Sequence, residues 1–200
     1  MRRLLGLRKR LAREERGYTL VELLTVIVIL GVVMEGLTTL FVTASNAQVD
    51  MNNRFQAQQT ARVALDKIRR EVHCASGAAS TPANQQVSLV NLNLATYCKT
   101  YSGSAVVTWC TRASSTSGYA LYRINASSSS CLGGVKWADN LQATSTAPVC
   151  SGALCVFNYQ TQTGYLARLH VDLPVNVKPG KSVEAYELID DLVLRNSARP

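Results

Sequence analysis

No proline interrupts the first 81 residues of this 200-residue chain, and no cysteine occurs before Cys74. The first absence removes the residue that most often ends or kinks a helix. The second leaves the N-terminal third without a covalent cross-link. Histidine is nearly missing, with only His73 and His170, and no C-x-x-C occurs, so a zinc site has little to be built from. There is no G-x-S-x-G, no phosphate-binding glycine loop and no evident catalytic triad, which ranks enzyme chemistry last among the function classes. No cofactor is called for. Charged residues make up only 17%, but at 47% hydrophobic the chain is too apolar for a disordered protein. Its length suits one modest globular domain plus an extended element.

The charge that is present lies unevenly. Residues 1–17 hold seven Arg or Lys against two Glu, whereas the rest of the chain carries 14 positive and 11 negative residues. The formal net charge of +8 therefore belongs mostly to a segment directly before an apolar run, as in the cytoplasmic flank of a membrane segment. A nucleic-acid partner is not implied by it.

From Tyr18 to Val42 the chain is dominated by Leu, Val, Ile and Thr, interrupted by Glu22, Gly31, Glu35 and Gly36. An ionised carboxylate in hydrocarbon costs on the order of 3 kcal/mol on insertion scales, so Glu22 needs a partner. Beyond Val42 a helical stripe continues through Leu37, Phe41, Ala44, Met51, Phe55, Ala61, Leu65, Ile68 and Val72. The spacing predicts one helix from about Tyr18 to about Cys74, roughly 85 Å long, apolar all round in its first half and amphipathic in its second. A loop follows, "ASGAASTPANQQ". Alternating runs then predict strands at 87–94, 105–112, 118–125, 154–160 and 165–175, with "NYQTQTGY" as a hairpin between the last two and a final strand, straight or bent, in 183–196. In the fifth run Tyr165, Ala167, Leu169, Val171 and Leu173 share one face, with Arg168, His170 and Asp172 on the other. The Ser-rich stretches "RASSTSG" and "NASSSSC" read as exposed loops. The expected fold class is α+β: a long N-terminal helix with an antiparallel β-sheet head packed on its C-terminal half.

All six cysteines, Cys74, Cys98, Cys110, Cys131, Cys150 and Cys155, follow the apolar run, which points to an oxidising exterior and disulfides. Fifteen connectivities are open. Cys150 with Cys155 would close "CSGALC", and Cys74 with Cys98 would tie the helix end to the next strand. His73 beside Cys74 raises an activated thiol as the alternative to a bridge.

Three readings fit the N-terminus. One is a secretory signal peptide cleaved near Val42-Thr43-Ala44, and another is a simple uncleaved anchor. Neither accounts for Glu22 or for Arg16-Gly17 followed at once by Tyr18-Thr19-Leu20-Val21-Glu22. The third rests on "RGYTLVELL" (16–24), which resembles the prepilin peptidase site of type IV pilins and type II secretion pseudopilins. The resemblance implies that residues 1–17 are a cytoplasmic leader removed by prepilin peptidase. Gly17 would be its last residue and Tyr18 the methylated first residue of the mature chain. Glu22 falls where the family keeps an acid, so its partner would be another subunit's N-terminal amine. Glycine at the cut leaves the cleft unobstructed and the backbone free to unwind. Tyr18 replaces the usual phenylalanine, and Thr39 stands where a helix-kinking proline is common. Glu35 reads as a mark of the outer membrane edge.

The same resemblance divides the chain into leader 1–17, a transmembrane or filament-core helix 18–42, its amphipathic half 43–74 and a disulfide-containing head 75–200. It places the protein in the cytoplasmic membrane, head outside, before assembly with other pilins or pseudopilins. "QAQQTARVALDKIRREV" is most similar to the larger minor pilins and J-type pseudopilins, and "YELIDDLVLRN" is similar to their final strands. The expected function is a minor type IV pilin that helps initiate or cap a pilus, with a type II secretion pseudopilin as alternative. DNA capture during uptake is a third reading, needing a basic patch for which Lys99, Arg112, Arg123, Lys136 and Arg168 are candidates. Arg62, Lys67, Arg69 and Arg70 read as a solvated helix face, Trp109 and Trp137 as core or rim, and Asn125-Ala126-Ser127 as a short glycosylation pattern.

Overall fold

A computed structural model of the chain describes residues 18–80, 85–94, 105–114, 118–161, 165–178 and 185–197. Its contacts separate residues 1–50 from residues 51–200. The helix α1 (Leu20–Cys74) contributes to both units. With the antiparallel sheet below, it makes the α+β arrangement of a pilin-like fold.

Within the first unit every described side chain before Asp50 is exposed. The threonines of this stretch would each bring an unsatisfied hydroxyl into an apolar surface, but Thr25, Thr38, Thr39 and Thr43 donate to the carbonyls of Glu22, Met34, Glu35 and Thr39. Such back-bonding lets a β-branched polar residue sit inside an apolar helix. At Thr39 the helix continues without a break.

In the second unit α1 buries Ala57, Ala61, Ala64, Leu65, Ile68, Glu71 and Val72, a single face at spacings of one, three and four. Met51 and Phe55, expected on that stripe, stay exposed, so packing starts only at Ala57. Small alanines on this face let the helix backbone approach the sheet, and Ile68, wholly buried, contributes about 2 to 3 kcal/mol.

The sheet is antiparallel throughout. Its strands are β1 (Gly77–Ala79), β2 (Gln86–Val87), β3 (Leu89–Asn93), β4 (Val106–Ala113), β5 (Tyr119–Ile124), β6 (Val135–Leu141), β9 (Phe157–Gln160), β10 (Arg168–Val175) and β11 (Tyr186–Val193). They run in the order β1-β3-β4-β5-β6-β10-β9-β2, with β11 on the other edge of β10; β7 (Val149–Cys150) and β8 (Ala153–Leu154) form a separate small ribbon. The expected strand 87–94 splits at Ser88, because Val87 pairs with Phe157 while Leu89 pairs with Cys110. The expected 154–160 splits likewise between β8 and β9. Besides the small β7, two strands of the main sheet arise where none was expected. β1 lies in the stretch read as loop, and β6 carries Lys136, Asp139 and Asn140 instead of an alternating pattern. Its register against β5 shifts near Leu121, and Asn140 adopts a left-handed φ of 59°. β10 begins at Arg168, so Tyr165 lies outside it and is 75% exposed.

A second correction concerns charge. Glu71 and Arg123 are only 4% and 9% exposed, and the helix carboxylate meets the β5 guanidinium at 2.8 and 2.9 Å. Trp109 Nε1 donates to Glu71 Oε2 at 2.7 Å, and Lys67 Nζ lies 3.2 Å from Oε1. Trp109 is core, as expected, and packs edge-on against half-buried Trp137. Of the cations read as a solvated face, Arg70 is exposed as expected, whereas Lys67 and two arginines are engaged. Arg69 donates to Asp190 of β11 at 2.6 and 3.1 Å, and Arg62 donates to Tyr186 at 2.8 Å. These contacts fix which face of β11 meets the helix.

Disulfides join Cys110 to Cys131 and Cys150 to Cys155, with Cα separations of 5.7 and 5.8 Å. Cys74 is disulfide-bonded, so its thiol is not a free nucleophile; Cys98 lies outside the described residues. The Cys110–Cys131 bridge fastens the Ser-rich 125–131 stretch over β4. Ser128 N donates to Asn91 Oδ1 and Thr108 Oγ1, at 3.2 and 3.0 Å, and Asn91 Nδ2 donates back to Ser128 O. The stretch is the exposed loop expected, and it is also docked through Ser128 and Cys131. Removing this bridge, which spans 21 residues, is expected to cost roughly 3 kcal/mol, against roughly 2 for the five-residue Cys150–Cys155 loop. Denaturant midpoints of the two double Cys→Ser variants check that order.

Candidate processing and assembly site

The start of α1 carries the residues on which the sequence reading turned. Thr19 is the N-cap: its carbonyl accepts the amide of Leu23 at 3.2 Å, and its hydroxyl accepts the amide of Glu22 at 3.3 Å. Thr19-Leu20-Val21-Glu22 therefore has the spacing of a capping box, with Glu22 in the third helical position. The Thr19-x-x-Glu22 spacing is a sequence signal for this cap, distinct from the charge of Glu22. The cap also answers part of the opening problem. Within one chain Glu22 lies at the positive end of the helix dipole, where a carboxylate is favoured by about 0.3–1 kcal/mol. A gain of that size does not cover a 3 kcal/mol insertion cost.

Tyr18 is 76% exposed, immediately before the cap. Gly17 lies outside the described residues. From Leu20 onward the apolar side chains are open to the surroundings, and the helix is long and apolar enough to cross a membrane. So large a contiguous apolar surface is not stable in water and marks contact with lipid or protein.

Residues 12–34 match the model of the prokaryotic N-terminal methylation motif. The chain has a prepilin-type N-terminus. The match supports the type IV pilin and pseudopilin family, a structural subunit rather than an enzyme. A prepilin-type motif implies processing by prepilin peptidase and assembly with other pilins. With the apolar helix, it fits anchoring in a membrane before incorporation into a filament. No curated protein and no solved structure matches the chain.

In this prepilin-type chain the described cations proposed for DNA binding sit in different surroundings. Arg123 is buried against Glu71 and is removed from that set by its ion pair. Arg112 stacks over the Tyr122 ring at 3.9 Å, and Lys136 pairs with Asp139 at 2.7 Å. Arg168 is exposed on β10, and Lys99 lies outside the described residues. His73 Nδ1 sits 3.0 Å from the Val193 carbonyl, a helix-to-β11 contact. Asn125 accepts a hydrogen bond from Arg123.

Proposed function

We propose that the chain is a minor type IV pilin, cut after Gly17 by prepilin peptidase and methylated on the new amine of Tyr18. Residues 18–42 then hold it in the cytoplasmic membrane, head outside, and later pack in the filament core. Residues 43–74 and the head 75–200 stand clear of that core, where the head helps initiate or cap the fibre. One observation carries this reading. The apolar first part of the helix, exposed throughout up to Val49, is capped by Thr19 directly after the Gly17–Tyr18 bond and bears Glu22 in its first turn. A signal peptide has no use for a capped acidic start, whereas a subunit that keeps the helix does. Gly31 and Gly36 support it too: no atom lies within 4 Å of where a Cβ would stand, so nothing inside the chain demands glycine there. Close approach of neighbouring helices does. Disulfide-fastened segments on the outer face suit a low-copy head that is not repeated along a fibre.

Intact mass and N-terminal sequence of the protein from cells with and without prepilin peptidase test the assignment. The expected result is a peptidase-dependent start at N-methylated Tyr18. A start near Ser45 or Gln48, or an intact Met1 in both strains, overturns it. Co-purification with a retractable surface fibre, rather than with a secretion apparatus, separates the pilus from the pseudopilus.

A further inference from the structure

Asp172 is 1% exposed, and neither of its carboxylate oxygens makes a hydrogen bond of good geometry, although Thr146 and Glu187 lie beside them. Buried polar groups are satisfied in folded proteins, and each exception needs an explanation. Asp172 lies on β10 opposite Ile189, and Glu187 lies on β11 opposite Pro174. Paired residues share a face of a ribbon, so both acids are on the face away from α1, whose arginines reach Tyr186 and Asp190 on the other.

The segment 142–147 covers this face. Gln142 N donates to the Pro174 carbonyl at 3.0 Å, and Thr144 and Ala147 bond each other through backbone and hydroxyl. Thr146 donates to Glu187 Oε1 at 2.5 Å; Thr144 lies 3.5 Å from the same oxygen and 2.9 Å from the Thr146 hydroxyl. The Gln86 amide holds the Thr146 carbonyl. Among the described ion pairs no lysine or arginine meets either acid, and His170 is engaged with Asp191 at 2.7 Å. Burial, above all, pushes the Asp172 carboxyl up from its ordinary range; Thr146 and the charge of His170 oppose this and Glu187 adds to it. Among the described residues, His170 is the one cation whose field is felt at Asp172, and it is already engaged by Asp191.

What converges here is oxygen: two carboxylates and two hydroxyls, without sulfur. Such a set suits a hard cation, and an irregular loop suits the larger, more adaptable coordination of calcium better than the strict octahedron of magnesium. Asp172 forms the buried floor, while exposed Thr146 and Glu187 leave the mouth open. We propose that Asp172 and Glu187, with the hydroxyls of Thr144 and Thr146, form a divalent-cation site of the calcium class that fastens the 142–147 segment to the β10–β11 ribbon. This does not rest on the filament reading.

Calorimetric titration of the full chain in detergent micelles, stripped with EGTA, tests it with CaCl2 and MgCl2 as probes, beside thermal unfolding of the same samples. The expected result is a single equivalent of Ca2+ bound, a midpoint raised by about 4 °C or more at saturation, and a weaker response to Mg2+. Glu187→Gln, at an exposed side chain, and Asp172→Asn should both abolish the response. Absence of Ca2+ binding overturns the proposal, as does binding that survives Glu187→Gln. A midpoint indifferent to Ca2+ but falling as pH rises, with Asp172→Asn removing that fall, also overturns it and assigns the gap to a shared proton.

Discussion

Replacing Glu22 by alanine is expected to leave cleavage after Gly17 and methylation of Tyr18 intact while reducing incorporation into filaments at least twentyfold. The alanine chain should enter the membrane as readily as the parent, since it no longer carries a carboxylate costing about 3 kcal/mol in hydrocarbon. The loss comes later. In the packed core, each N-terminal amine would be left without its carboxylate, and truncating one member of a buried charge pair costs about 2–5 kcal/mol. At 1.4 kcal/mol per factor of ten, even the lower end is a twentyfold or greater change, and the middle of the range exceeds a hundredfold. Glu22→Asp, with the charge kept and the reach shortened, should fall between. Quantifying the subunit in sheared filaments against total membrane protein checks the series. Normal assembly of Glu22→Ala would confine Glu22 to the capping box with Thr19, which is worth only about 1 kcal/mol.

The second large effect is expected at Glu71, in the head. Glu71→Ala leaves Arg123 buried without its carboxylate and deprives the Trp109 indole of its acceptor. Breaking a buried pair from one side costs roughly 3–5 kcal/mol, so the unfolding midpoint should drop by on the order of 10 °C for a domain of this size. Arg123→Ala should be similarly severe. Replacing both partners with apolar residues of similar volume should restore most of the loss, because the penalty comes from the stranded charge. Near-ultraviolet circular dichroism, which follows the packed Trp109–Trp137 pair directly, is the measurement. A drop equivalent to less than about 1 kcal/mol would mean that the cluster behaves like a surface ion pair.

The basic N-terminal segment, the proline-free apolar run and the stripe from Ala61 to Val72 are enough to predict one long helix, since helix period and breaker content are local properties of the chain. Alternation likewise located β4, β5, β10 and β11, and the RGYTLVELL motif reached the family that the 12–34 match supports. Even the Thr19–Glu22 cap is written locally, three residues apart.

Only the tertiary structure decided the rest, for one physical reason: the deciding partners are distant in sequence. Glu71 finds Trp109 and Arg123 at separations of 38 and 52 residues, and Arg69 finds Asp190 at 121. No local pattern states that Arg123 is buried rather than free for DNA, or that Asp172, on the polar side of an alternating strand, is sealed beneath 142–147. Nor does alternation reveal β6, whose charged residues earn their place through pairing with β5 and through Asn140 turning the chain. Periodicity tells which side of an element faces away from its first neighbour. Whether a second layer then covers that side depends on where the whole chain folds back.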